Sequence, residues 1–400
     1  MLSSLPIRLN NTLQKVNLSN QFNKKIVIVT GELSGEIHAS HLIKAMNESL
    51  DVKFSGIGSK KLEEVGCEVI YDYKNISLTG LSEIISKLKH IWNAYKTLKK
   101  HIMEVHPSLL ILVDFPGFNL KIAKFAKKQN IPIIYFIPPQ IWAWRKKRIN
   151  QIKKSVDKVI CILPFEKKLY DEYGIDATYI GHPFLNTVKP SHSKPDFLKK
   201  IGIKENIPII TIMPGSRNNE IIKHMPIFLK VIKKLENDLD ELTILLPLAE
   251  NIDYRIIEKF QKEQKKIIPV KGLSYDALFY SDIALVASGS ATLEAAILGV
   301  PTIVVYKVSP ISYLVGKALV KVKYVSLPNI IAKKEVFPEF IQHINPEIIA
   351  EKAIYMLKNG RKDIKKEMDE IKAKLGTFNS YQRAKDTIIE FLEHTYGTIS

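Results

Sequence analysis

DIALVASGSATLEAAILGVPTIVVY, residues 282–306, carries the decisive pattern of the chain. The apolar run ending in ALVA has the length and composition of a buried strand. It stops at Ser288-Gly289-Ser290-Ala291-Thr292, a tract of small side chains, and Glu294 follows within the first turn of a helical stretch. Gly299 and Pro301 end that helix, and PTIVVY begins the next apolar run. Strand, small-residue turn, helix and strand together make a unit of parallel sheet.

The turn has a chemistry of its own. The first N–H groups of a helix lack internal partners and sit at the positive end of its dipole. Small residues let an anion reach those amides, so 288–292 reads as a phosphate cradle, with Ser288, Ser290 and Thr292 adding hydroxyls. Glu294 is placed to accept from a pair of ribose hydroxyls. The plainer alternative is an ordinary N-cap with a favourable first-turn acid. TIMPGSRNNEI, 211–221, repeats the logic: Pro214-Gly215-Ser216 breaks a strand and Arg217 follows as a planar, permanently charged phosphate partner. Neither loop is a Walker lysine loop and no GxGxxG occurs, which removes the kinase and dehydrogenase readings.

Outward from these loops the alternation continues in both directions. KKIVIVT, GELSG and a helix from about Glu36 open the first half; SLLILVD, ending at Asp114, then FPGFN and the helix LKIAKFAKKQ, continue it with IPIIYFI, KVICILP and ATYIGHP. Residues 186–206, with two prolines and no apolar periodicity at their start, read as a linker. A second series follows: PIITIM, LTILLPLA, IIPVKG, DIALVAS and PTIVVY. The fold class is therefore α/β, two Rossmann-like domains with parallel sheets facing across a cleft, ligands sitting at the carboxyl ends of the strands. A length of 400 residues agrees with two cores.

Composition narrows the partners. The formal charge of +18 favours something anionic (nucleic acid, acidic headgroups or a phosphorylated substrate), unless it is a general Lys-rich bias. Nucleic acid is set aside, because no RNP, KH, zinc or helix-turn-helix signature accompanies the charge. Cys67 and Cys161 stand apart without metal spacing. The apolar runs fall well short of the ~20 residues a bilayer span requires. Residues 1–24 read as a flexible extension outside the fold, with a transit peptide as the alternative.

Several motifs together resemble lipid-A-disaccharide synthases: GELSGEIHA, SLTGLSEII, VDFPGFN, PPQIWAWRKKRI, LPFEKKLYDEYG and IGHP in the first half, then MPGSRNNEI, SGSATLEAAILGVPTIVVYKVSP and YVSLPNIIA. The resemblance covers about residues 25–345 in a single order. It implies a GT-B-like glycosyltransferase at the cytoplasmic face of the bacterial inner membrane. The reaction implied joins UDP-2,3-diacylglucosamine to 2,3-diacylglucosamine 1-phosphate, giving a β(1→6) disaccharide 1-phosphate and UDP with inversion, in lipid A biosynthesis, with no cofactor and no metal. It implies UDP contacts at Ser216, Arg217, Ser288, Gly289, Ser290, Ala291, Thr292, Glu294 and Asn329, and an acceptor side at Glu32, Ser34 and Asp114. Glu36 stands where the family has aspartate, and Gly117 where it often has a second acid.

An inverting transfer needs a base near the acceptor hydroxyl and positive potential near the departing diphosphate. Asp114, at the end of an apolar strand, is the first candidate base, with Glu32 and His38 beside it; a turn-capping aspartate and a packing histidine are the alternatives. Leu81, Ile84, Ile85, Leu88, Ile91, Trp92 and Tyr95 share one helical stripe, which faces either lipid or the core. Trp142 and Trp144 beside Arg145, Lys146, Lys147 and Arg148 suit an anionic headgroup layer. The expected division is an acceptor- and membrane-facing domain at 25–187, a UDP-sugar domain at 188–365 and C-terminal helices at 366–400 that return to the first domain. A homodimer is left open. The rival on the same architecture is a UDP-sugar 2-epimerase or another UDP-sugar transferase, for which a Trp/Lys rim has no use.

Overall fold

The computed structural model describes residues 22–75, 84–142, 148–249, 252–308, 323–376 and 379–397, apart from the side chains of 84–87 and 360–363. The first sheet comprises β1 (Lys25–Val29), β2 (Lys53–Gly58), β3 (Cys67–Asp72), β4 (Leu109–Val113), β5 (Ile133–Phe136), β6 (Lys158–Cys161) and β7 (Ala177–Tyr179), in the order β3-β2-β1-β4-β5-β6-β7. The second comprises β8 (Ile209–Met213), β9 (Thr243–Leu248), β10 (Ile267–Lys271), β11 (Ile283–Ala287), β12 (Thr302–Tyr306) and β13 (Glu339–Ile341), in the order β10-β9-β8-β11-β12-β13. Neighbouring strands pair parallel throughout. Parallel strands covered on both faces explain why β4 and β11 are apolar at every position and fully buried.

Both sheets follow the doubly wound order, in which the winding reverses beside the first strand. The reversal lies between β1 and β4 in one sheet and between β8 and β11 in the other. Glu32 follows β1, Asp114 follows β4, Pro214–Arg217 follows β8 and Ser288–Glu294 follows β11. All four loops singled out in the sequence therefore open at switch points.

Local boundaries differ from the sequence expectation in two places. GELSG is not wholly a loop: the helix Leu33–Asn47 begins inside it, with Glu32 as its extended N-cap. FPGFN lies mostly within the helix Pro116–Lys128, because Asp114 and Phe115 make the turn in left-handed conformations, at φ 44° and 45°, and Pro116 starts the helix.

The chain crosses between the two sheets twice. Residue 365 lies inside one unbroken helix, Pro346–Lys374, whose Met368 and Ile371 pack in a core cluster with β11 and β12 residues. The return comes after it: the helix Ser380–Tyr396 places Tyr381, Ala384, Ile388 and Leu392 in the core beneath β1 and the helix 33–47. The crossings are bonded to each other, His182 N donating to Leu375 O at 3.0 Å and Ser380 N to Asn186 Oδ1 at 3.4 Å.

Candidate active site

On the first sheet, β1 and β4 deliver two carboxylates to one place. Asp114 faces Glu32, and its carboxyl is pushed up to about 7, first by burial and then by its interaction with the Glu32 carboxylate. The Arg148 guanidinium acts in the opposite direction on Asp114. The turn is held from below: Asp114 O accepts from Asn119 Nδ2 at 2.8 Å and from the Tyr135 hydroxyl at 2.7 Å. Glu32 Oε1 accepts from Ser34 Oγ at 2.8 Å. One turn along, Glu36 is 1% exposed; its Oε2 accepts from the Tyr73 hydroxyl at 3.1 Å, and Oε1 has no partner among the described residues.

The second sheet brings the two anion-seeking loops, and they are not equivalent. At the 214–217 loop, Glu220 folds back: Ser216 N donates to its Oε2 at 2.8 Å and Arg217 N at 3.2 Å. This capping box already fills the amide cradle with a carboxylate. Gly215 sits at φ 133°, where a Cβ would come 2.4 Å from Glu220. What the loop still presents is the half-exposed Arg217 guanidinium, which pairs with Glu220 Oε1 and, across the cleft, with Glu32 Oε2, each at 3.3 Å. The Ser216 and Arg217 amides are thus both taken by Glu220.

The 288–292 turn is open. Gly289 and Ser290 are exposed, and the amides of Gly289, Ser290 and Ala291 meet no acceptor among the described residues. Gly289, the N-cap of the helix Ser290–Leu298, adopts φ 154°, a conformation glycine tolerates. Two hydroxyls expected on a phosphate point elsewhere. Thr292, fully buried, donates to Gly289 O at 2.8 Å, and Ser288 donates to Val325 O at 3.5 Å. Ser290 remains. Glu294 has no hydrogen-bond partner among the described residues, and desolvation pushes its carboxyl up to about 7.

Asn329 is not positioned for a nucleotide. It is fully buried and all its polar capacity is used. Nδ2 donates to Phe337 O at 2.7 Å and Glu339 Oε1 at 2.8 Å, while Oδ1 accepts from Val336 N at 2.8 Å and Phe337 N at 2.9 Å. Glu339 in turn accepts from the amides of Val325 and Ser326, both at 2.9 Å. Asn329 thus braces the segment whose Val325 carbonyl receives Ser288.

His38 is likewise drawn away from the carboxylates. Its Nδ1 lies 2.9 Å from the Tyr381 hydroxyl and its ring stacks on Phe184 at 6.3 Å. Burial, and then His41, push it down to about 4, so it is neutral and belongs to the crossing between the sheets. His224, which the sequence did not single out, is 2% exposed and fixes the 214–217 loop: Nδ1–H donates to Pro214 O at 2.9 Å and Nε2 accepts from Lys307 N at 3.1 Å.

The expected headgroup-facing residues divide. Trp142 turns inward, its Nε1 donating to the buried Glu166 at 3.1 Å and its ring edge-on to Phe165 at 5.0 Å, in a cluster with β11 and β12 residues of the second sheet. Trp144, Arg145, Lys146 and Lys147 lie outside the described residues, as does Leu81. In the helix Ile84–Val105, Ile91, Ala94, Tyr95, Leu98 and Ile102 face the core. Leu88, Trp92 and Met103 fall on the adjoining flank, 58%, 55% and 44% exposed, with Lys96 Nζ 3.4 Å from the Trp92 ring centre. Among the described residues no helix is long and apolar enough to cross a membrane, and no His, Cys, Asp or Glu cluster has the makings of a metal site.

Known proteins match this arrangement at two levels. By structure the chain is similar to UDP-GlcNAc 2-epimerase from Neisseria meningitidis bound to UDP-GlcNAc (TM-score 0.61, 14% identity, 92% of this chain and 100% of that one). It is also similar to the calicheamicin glycosyltransferase CalG4 (TM-score 0.59, 11% identity, 92% and 98%). These likenesses give the GT-B architecture. By sequence it is 40% identical to a lipid-A-disaccharide synthase of Syntrophus aciditrophicus over 372 residues, 90% of this chain and 96% of the relative. It is 35% identical to that of Myxococcus xanthus over 373 residues, 92% and 97%. The family model for lipid-A-disaccharide synthetase matches residues 26–390. The chain belongs to the lipid-A-disaccharide synthase family and is a glycosyltransferase of lipid A biosynthesis.

Proposed function

We propose that the enzyme joins UDP-2,3-diacylglucosamine to 2,3-diacylglucosamine 1-phosphate with inversion, giving the β(1→6) disaccharide 1-phosphate and UDP. The observation that carries this reading is the facing of two switch points: the Glu32–Asp114 carboxylates on one side and Arg217 with the open 289–291 amides on the other, in contact through the Arg217–Glu32 pair. The UDP-sugar belongs to the β8–β13 side and the acceptor to the β1–β7 side. Asp114, ionised, takes the proton of the acceptor 6-hydroxyl as that oxygen attacks the donor anomeric carbon. The bond to the diphosphate breaks as the new bond forms, and the electron pair leaves with UDP. Arg217 and the helix N-terminus at Ser290 stabilise the departing charge, so the reading needs no metal and no cofactor. Glu294, with no protein partner, accepts from the ribose hydroxyls.

Both substrates carry acyl chains. The exposed flank of Leu88, Trp92 and Met103 with Lys96 beside it has the chemistry of a surface that rests on anionic lipid, at the cytoplasmic face of the inner membrane. The test is incubation of the purified enzyme with both lipid substrates, following UDP and disaccharide together. Stoichiometric appearance of the two is expected. UDP release without disaccharide, or epimerisation of the donor sugar, overturns the proposal.

A further inference from the structure

Arg217 reaches from the nucleotide side to Glu32 on the acceptor side at 3.3 Å, and the remainder of its guanidinium meets Glu220. Glu32 is the more exchangeable of these two partners. Glu220 is tied to its own loop by two amides, whereas Glu32 sits on another element 185 residues away in sequence and keeps Ser34 and Asp114 as alternative partners. We propose that Glu32 is a positioning residue that acts as a stand-in anion for the donor diphosphate: Arg217 is held by Glu32 while the donor site is empty and passes to the diphosphate when the donor binds. This rests on the function proposed above and concerns the regulation of the same site.

The exchange has a chemical consequence. While Arg217 holds Glu32, the guanidinium ties the nucleotide half of the site to the acceptor half. Once the guanidinium turns to the diphosphate, Glu32 is left with Ser34 and Asp114 on its own half of the site. The diphosphate takes the place of an acceptor-side carboxylate as the partner of Arg217. Donor binding thereby prepares the opposite half of the site through one side chain.

The test is the dissociation constant for UDP alone, with no acceptor and no turnover, in the wild type, Glu32→Gln, Arg217→Ala and the double variant. Glu32 and Arg217 are both substantially exposed, at 39% and 58%, so these substitutions leave the cores intact, which circular dichroism checks. Removing the competitor tightens UDP binding by about two- to fivefold, the factor an exposed ion pair carries. Arg217→Ala weakens binding by about tenfold or more. In the Arg217→Ala background the Glu32 substitution changes affinity by less than about 1.5-fold, because the exchange runs through Arg217. An unchanged or weaker affinity in Glu32→Gln overturns the exchange. An equal gain in both backgrounds also overturns it, since Glu32 then repels the diphosphate by its own charge. Wild-type protein that fails to bind UDP overturns the proposed function itself, a result distinct from the other two.

Discussion

Glu294→Gln separates function from stability. Glu294 has no hydrogen-bond partner among the described residues and its carboxyl is held at about 7 by desolvation, against an ordinary value of 4.5. At about 1.4 kcal/mol per pH unit, the ionised side chain then costs the fold about 3 kcal/mol, trimmed to about 2 kcal/mol because part of it still meets solvent. The sign follows from the raised value. Below pH 4.5 both states are protonated and the penalty is absent; it grows as pH rises and is complete above about 7. Glutamine is neutral at every pH, so the variant gains on the wild type only on the alkaline side. Thermal unfolding of the ligand-free proteins at pH 5 and pH 8.5 reads this directly. A gain of about 2 kcal/mol raises Tm by about 4–8 °C at pH 8.5, with little difference at pH 5. The same substitution weakens UDP by about tenfold, through loss of a charged acceptor to the ribose hydroxyls. An equal Tm difference at both pH values refutes the argument that Glu294 is a strained, unpartnered acid kept for a ligand.

Asp114→Asn lowers turnover by about 10²- to 10⁴-fold and leaves the UDP dissociation constant unchanged; the wild-type rate falls as pH drops below about 7, where Asp114 takes up its proton. A near-normal rate in the variant excludes it as the base. Asn329→Ala removes four buried hydrogen bonds, each worth about 1 kcal/mol net, so denaturant unfolding shows a loss of about 4 kcal/mol, near the top of the range for one substitution. A loss below about 1 kcal/mol contradicts its bracing role. Leu88→Ala with Trp92→Ala reduces binding to anionic phospholipid vesicles by about tenfold while solution stability holds, because both side chains are already exposed. Undiminished vesicle binding moves the lipid surface elsewhere.

The apolar runs and small-residue turns made β1, β4 to β7 and β8 to β12 readable, because parallel strands buried on both faces carry an uninterrupted signal in one dimension, whereas β2, β3 and β13 lack such a run and were not read. The switch-point loops were readable for the same reason: each immediately follows such a run. What sequence could not distinguish was an open amide from an occupied one. SGSAT and PGSR look alike as anion-seeking turns, yet only the first is vacant, and Glu220 three residues beyond Arg217 was the available sign of a capping box. Asn329 was expected at the nucleotide only through the family resemblance, and its bracing bonds run to Phe337 and Glu339, outside the SLPN motif that carried the expectation. His38 and Trp142 are placed by contacts with Tyr381 and Glu166, 343 and 24 positions away, and no window along the chain contains that information. The stripe on helix 84–105 split because its apolar arc is wider than the face the core can cover.

The contacts between the two halves fall into two energetic kinds, and the difference bears on how the site works. At the crossings they are buried and mixed in origin: Trp142, Leu163 and Phe165 share a cluster with Leu293, Val304 and Phe337, and His182, Leu375 and Ser380 bond the two passages of chain together. Pulling that apart exposes several large apolar side chains, each worth about 1.5–3 kcal/mol. Across the mouth of the site, by contrast, the contact is an ion pair with both partners well exposed, worth at most about 1 kcal/mol. A ligand that takes Arg217 from Glu32 therefore meets little resistance there and leaves the buried crossings undisturbed. The cleft can exchange its own internal anion for a substrate diphosphate without the two sheets losing their register, which is what a transferase requires of a site that must fill and empty on every turnover.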